Sequence, residues 1–399
     1  MRPFSLRSFV ATATAVAVLL SLHTPASADY KPGRIAAALQ PFVGQNTLAG
    51  AVTLVANKDK VLSLEAVGWA DIDKKKTMQT DGVFWIASMS KAMTAAGLMI
   101  LVDEGKVKLD DPVEKYLPEF GGQMLAEKGD DGRFELKKPS QPITVRQILS
   151  HTSGLPFKSS IEQPVLDIYT LRQRTISYAV TPLQSEPGSA YQYSNAGINT
   201  AAMIIEIVSG MKYEEFMNER LLAPLGMKDT TFWPDEDQVA RLAKSYRPNA
   251  TKDGLEEFQI TQLTYPLTNT KRQCMPGGGY FSTAMDVSKF CRMLLNKGTL
   301  SGKRILSADA VKQMTTVQSG EAKSKDQLAD YGFGLKITTK EGGEDSLSVG
   351  SYGHGGAYAT QMWVDPVRGL VVILMVQHGG FPFDAGKKIN PTVLKAALE

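Results

Sequence analysis

Ser88-Met89-Ser90-Lys91 sets a hydroxyl and an amine three residues apart. They stand where an apolar extended run, residues 84–87, feeds a helical pattern that continues to Glu104 and stops at Gly105. On a helix, positions three apart lie on one face, so the Ser88 hydroxyl and the Lys91 amine point into one space. Crowding or burial lowers a lysine's proton affinity, because desolvation disfavours the charged form. A neutral amine beside a hydroxyl is a base beside a nucleophile, the pairing needed for attack on a carbonyl carbon. The positive end of the helix dipole favours negative charge developing there. A second Ser-x-x-Lys, Ser209-Gly210-Met211-Lys212, carries Gly210 where a helix should end, so its two side chains need not share a face.

Other polar positions read first as structural, Tyr193 on its own as an ordinary packed aromatic. Tyr193-Ser194-Asn195 falls on a loop forced by Pro187 and Gly188, at the start of a helix running from Ala196 to Val208. His354-Gly355-Gly356-Ala357 leads into a strand pattern. His151 sits where a short helix, residues 144–149, meets a Gly-Pro turn, and is expected to bond backbone carbonyls as a structural cap. The glycines after Pro276 lack a following Gly-Lys-Ser or Gly-Lys-Thr, so they are read as close packing and not as a phosphate loop. Cys274 and Cys291 read as small buried thiols, although an oxidising compartment would permit a bridge. The His and Cys residues lack ligand spacing, so no metal or other cofactor is expected.

The elements that position these residues follow from the rest of the chain. Its 399 residues, 43% hydrophobic, suffice for two domains or one large one. Lys+Arg at 44 against Asp+Glu at 41 gives no basic footprint for nucleic acid. Arg2 and Arg7, an apolar run to Leu22 and Ala26-Ser27-Ala28 form a secretory signal pattern, so residues 1–28 are expected to be removed and the mature chain to carry no membrane anchor. That makes the protein periplasmic or extracellular. Residues 48–56 and 61–69 read as a hairpin closed by Asn57 to Lys60. Residues 119–141 read as an exposed polar excursion. Residues 331–337, 351–364 and 370–376 return to strands, the last apolar throughout and therefore central. A final helix covers residues 391–398.

In this order, Ser88-Met89-Ser90-Lys91, Tyr193-Ser194-Asn195 and His354-Gly355-Gly356 resemble the three motifs of the penicillin-recognising serine hydrolases. Within that group the chain resembles class C β-lactamases, D-Ala-D-Ala carboxypeptidases and D-aminopeptidases, and the β-lactamase-like family VIII esterases. Leu149 to Leu155, Pro276 to Thr283 and Tyr352 to Ala357 add supporting matches across nearly the whole mature chain. The resemblance implies an α/β (α+β) fold: an antiparallel sheet flanked by helices, from residues 29–108 and 296–399, with a mostly helical domain inserted at 109–295. It implies Ser88 as nucleophile, Lys91 and Tyr193 sharing its proton, and Asn195 orienting Lys91 and binding substrate. His354, Gly355, Gly356 and Ala357 then line the substrate, with the Ser88 and Ala357 amides as oxyanion hole. Class C β-lactamases carry Lys-Thr-Gly where this chain has His354-Gly355-Gly356. A histidine near its titration point would attract a substrate carboxylate weakly and in a pH-dependent way. Small esters or amides are therefore the expected substrates, with β-lactams and D-amino-acid peptides as alternatives. A silent binder of cell-wall peptides is the reading from another class.

Overall fold

The computed structural model describes residues 30–129, 131–322, 329–343, 346–382 and 384–399, so the expected signal segment lies outside the described residues. One eight-stranded antiparallel sheet organises the chain. Its strands are β1 (Gly50–Asn57), β2 (Val61–Asp71), β3 (Lys76–Thr77), β4 (Ala329–Tyr331), β5 (Lys336–Thr338), β6 (Tyr352–Gly355), β7 (Gln361–Asp365) and β8 (Leu370–Met375). The spatial order is β4-β5-β6-β7-β8-β1-β2-β3. The N-terminal hairpin is thus zipped to the C-terminal strands by β1 against β8, with Val52 opposite Met375 and Leu54 opposite Ile373.

The period of two along these strands builds two cores. Val52, Leu54, Val371, Ile373 and Met375 face one, and Val55, Leu370, Val372 and Leu374 face the other. Helices α1 (Arg34–Gly44) and α5 (Ala385–Leu398) pack on the second face through Ile35, Leu39, Ile389 and Val393. β8 is buried at every position, as an apolar run in the middle of a sheet requires.

The larger core holds α2 (Ser90–Asp103), α3 (Asn195–Ser209) and α4 (Ala284–Leu295). α2 is buried continuously from Ser90 to Leu101, because it is apolar all round and has neighbours on every side. α3 closes on Gly210 at φ 72°, so Ser209 and Lys212 are separated by a helix end as expected. The expected exposed excursion contains a small hairpin, Leu125–Lys128 against Phe134–Lys137. The expected single strand over 331–337 is broken into β4 and β5. Gly334 turns at φ +64° against the Lys91 carbonyl, where a Cβ would come within 2.6 Å. Packing onto α2 therefore outweighs the extended preference of that run.

Candidate active site

Ser88 sits in a single 3-10 turn, Ala87–Met89, directly ahead of α2. The turn is entered through Ala87 at φ 44°, a left-handed conformation unfavourable for a residue with a Cβ. Surrounding contacts hold it there. Phe84 and Trp85 pair with Ser282 and Phe281, the Ile86 amide donates to the Tyr280 carbonyl at 3.0 Å, and Trp85 Nε1 donates to the Gly278 carbonyl at 2.8 Å. The segment after Pro276 is thereby built against the segment before Ser88. Close backbone packing, the reading of these glycines from sequence, is what they do: a Cβ on Gly278 would come within 2.8 Å of the Met275 methyl.

Lys91 is wholly buried, and its Nζ lies 3.1 Å from Ser88 Oγ. Burial without a charged partner pushes its pKa down to about 7. Its second contact is the Gly277 carbonyl, to which it donates at 2.5 Å. Asn195 does not orient Lys91, contrary to the sequence expectation. Its Oδ1 is buried without a hydrogen-bond partner and packs where a Gly277 Cβ would come within 3.1 Å. A peptide carbonyl from the glycine run has taken that place. Two residues fix this carbonyl: Asn199 Oδ1 accepts from the Gly277 amide at 3.0 Å, and Thr94 Oγ1 donates to the Pro276 carbonyl at 2.9 Å. Sequence reasoning missed Gly277, Asn199 and Thr94. The available signal was helical spacing: Thr94 is three residues past Lys91, and Asn199 four past Asn195, each a polar side chain on an apolar helix.

Tyr193 is brought to the pair from the loop ahead of α3, whose N-cap Ser194 accepts from the Gly197 amide at 3.0 Å. Lys91 Nζ lies 4.7 Å from the centre of the Tyr193 ring. Burial drives the Tyr193 phenol above its usual range, and the neighbouring Ser88 hydroxyl only partly opposes this. Tyr193 therefore stays a protonated phenol at neutral pH.

His354 lies on β6. Its Nδ1 is 2.7 Å from the Gly355 carbonyl, which requires the proton on Nδ1 and leaves Nε2 as an acceptor 3.4 Å from the Tyr193 hydroxyl. Burial first, then the nearby Lys91 charge, pushes its pKa down to about 3. The expectation that it titrates near neutral pH is corrected: His354 is neutral throughout that range. Gly356 admits no side chain, since a Cβ would fall 2.6 Å from the Ile86 carbonyl. The following Ala357 amide has no hydrogen-bond partner among the described residues. A cavity of about 140 Å³ is lined by Ser88, Asn195 and Ala357 together with Trp85, Phe157 and Leu166. An acylated serine at its rim would have an amide-lined wall on one side and an apolar pocket on the other.

His151 does not cap carbonyls with its ring. Its Nδ1 accepts from the Ser194 amide at 3.2 Å. Cys274 and Cys291 are both buried free thiols, each raised in pKa by burial, and neither takes part in the site.

The profile of the beta-lactamase family matches residues 35–394, from the first helix into the last. The chain belongs to the beta-lactamase family. It is 29% identical to the D-alanyl-D-alanine-carboxypeptidase/endopeptidase AmpH of Escherichia coli K12, over 75% of this chain and 71% of that one. It is 27% identical to esterase EstB of Burkholderia gladioli, over 86% of this chain and 89% of that protein. Among solved structures it superposes on EstCE1, described as a hydrolase with promiscuous acyltransferase activity, with a TM-score of 0.77 at 24% identity over 92% of this chain and 98% of the other. As a beta-lactamase-family protein with esterase and carboxypeptidase relatives, it is a serine hydrolase.

Proposed function

We propose that this beta-lactamase-family protein is an exported hydrolase that forms an acyl-enzyme on Ser88 and cleaves small esters or amides in preference to β-lactams carrying a carboxylate. Neutral Lys91 takes the Ser88 proton as Oγ attacks the carbonyl carbon. Tyr193, a phenol at neutral pH, passes a proton to the departing alkoxide or amine and is recharged from Lys91. The oxyanion is met by the amides of Ser88 and Ala357. In the second half a water attacks the acyl-enzyme, its proton moving back through Tyr193 and Lys91.

The observation that carries the substrate preference is the neutral His354 beside Tyr193. A substrate carboxylate would meet an uncharged ring there. The test compares kcat/KM for p-nitrophenyl acetate and butyrate with that for nitrocefin on the mature chain. Faster turnover of the esters supports the reading, and nitrocefin turnover well above both esters rejects it. Ser88→Ala must abolish ester hydrolysis and labelling by a fluorophosphonate in protein whose circular dichroism is unchanged.

A second reading, a D-amino-acid peptidase, is favoured by one feature. The buried, unpartnered Asn195 Oδ1 at the cavity is suited to an N–H of a peptide substrate. Release of D-alanine from a D-Ala-D-Ala peptide, faster than ester hydrolysis, would select it.

A further inference from the structure

His151 reaches both neighbours of Tyr193 at once. Its backbone carbonyl accepts from the Gln192 amide at 2.7 Å, and its Nδ1 accepts from the Ser194 amide at 3.2 Å. The imidazole also packs on the phenol it brackets, with ring centres 4.7 Å apart. Tyr331 closes another side of the ring at 5.4 Å. Thr152, next in the chain, accepts from the Gly188 amide at 2.7 Å, so the loop is held to this segment again four residues before Gln192.

Two features show that an imidazole here has a cost that something must offset. His151 is fully buried at φ 63°, a left-handed conformation that Gly would adopt with less strain. An Nδ1 that accepts requires the proton on Nε2, and that nitrogen is buried without a partner among the described residues. An apolar ring would avoid that loss, but would leave the Ser194 amide unsatisfied. The Ser194 amide is the backbone group directly after Tyr193, so this contact sets where the phenol stands relative to Ser88.

We infer that His151 is a positioning residue for the hydrolytic reaction: its carbonyl and its Nδ1 grip the amides on either side of Tyr193 and hold the phenol in line with Ser88 and Lys91. The inference rests on the role proposed above for Tyr193.

Three variants separate the possibilities. His151→Asn places an amide oxygen near the Nδ1 position and tolerates the left-handed backbone. His151→Gly tolerates that backbone better still and has no acceptor. Tyr193→Phe removes the phenol that the clamp positions. H151N is expected to keep kcat within about threefold of the native enzyme. H151G is expected to lose roughly tenfold to a hundredfold in kcat, with KM and thermal midpoint matching H151N. Y193F must lose at least as much as H151G. Equal kcat for H151G and H151N, with Y193F impaired, overturns the positioning role and leaves the Tyr193 reading standing. Full activity of Y193F overturns both. Should H151G fail to fold, nitrogen-15 NMR of the native protein decides: an unprotonated Nδ1 on His151 at neutral pH supports the clamp, and a protonated Nδ1 rejects it.

Discussion

The Gly277 carbonyl accepts from Lys91 Nζ at 2.5 Å, and no carboxylate pairs with this amine among the described residues. A neutral acceptor satisfies one N–H without holding a charge. Lys91 can therefore sit buried against Ser88 at a pKa of about 7. Its base form is the one the mechanism uses, so kcat/KM for an ester should rise with pH through a single step near 7 and then level. A profile flat from pH 5 to 8 would remove Lys91 as the base. Lys91→Arg, locked in its charged form, should lower kcat by a factor of about a thousand or more.

The same burial has a stability signature. Lys91 is depressed from 10.5 to about 7 on folding. Between those values the unfolded chain binds more protons, so its contribution to stability becomes more favourable as pH rises through that window and is most adverse below 7. Lys91→Met, similar in length and uncharged, should be inactive yet melt higher than the native enzyme at pH 6. The gain should shrink by pH 9. Differential scanning calorimetry of the pair at both values checks it, and an equal difference at the two pH values would contradict the depressed pKa.

The hairpin, the central strand and the helix behind Ser88 were readable because each depends on local pattern: apolar runs of strand length in β1 and β8, and a longer apolar run closed by Gly105 in α2. Ser88, Lys91 and Tyr193 were readable as types at motif spacings. The carbonyl that holds Lys91 was not, since every residue carries one and only the fold decides which is aimed at an amine. The protonation of His354 was equally hidden, because it depends on depth and on the nearness of the Lys91 charge. The ring of His151 was misjudged for a related reason: a helix end suggests carbonyl partners, whereas the loop carrying Tyr193 presents an amide.

His354→Lys should change preference between substrates. A cation in this place, where the native ring is neutral, would attract a carboxylate. The ratio of kcat/KM for nitrocefin to that for p-nitrophenyl butyrate should increase by about tenfold, the effect of one charge-assisted hydrogen bond. Absolute ester hydrolysis should fall, because Tyr193 loses the Nε2 acceptor. An unchanged ratio would mean that His354 does not face the substrate's acid group.

Acid should destabilise the fold well before its carboxylates are neutralised. His354 and His378 are both buried and depressed from 6.5 to about 3. His378 uses Nε2 to accept from the Ala49 amide at 3.1 Å, a contact that requires that nitrogen unprotonated. Below 6.5 the unfolded chain takes up protons that the folded one cannot, so stability is lost as pH falls toward 3. At pH 5.5 each of the two should cost on the order of 1 kcal/mol relative to pH 7.5. Urea denaturation at the two values measures their loss together with those of buried His151 and Lys91, which act in the same direction. His378→Gln should flatten part of the difference, and no flattening would assign the loss to other groups.

Gly356 tests whether the oxyanion wall and the nucleophile turn move as one body. A Cβ there would lie 2.1 Å from Thr360 Oγ1 and 2.6 Å from the Ile86 carbonyl. The hydroxyl can rotate away, but the carbonyl cannot, since it belongs to the backbone and accepts from the Met89 amide at 3.1 Å. Gly356→Ala should therefore push β6 away from the Ser88 turn, widen the gap between Ser88 and Ala357, and lose about 1–3 kcal/mol of stability through overpacking. Loss of one well-placed oxyanion donor lowers kcat by a factor of about a hundred or more, so kcat should suffer far more than KM. Adding Thr360→Ala relieves only the side-chain clash. If the Ile86 carbonyl is the obstacle, the double variant stays destabilised and its kcat stays depressed. Restoration of both would place the strain on Thr360 and separate the wall from the turn.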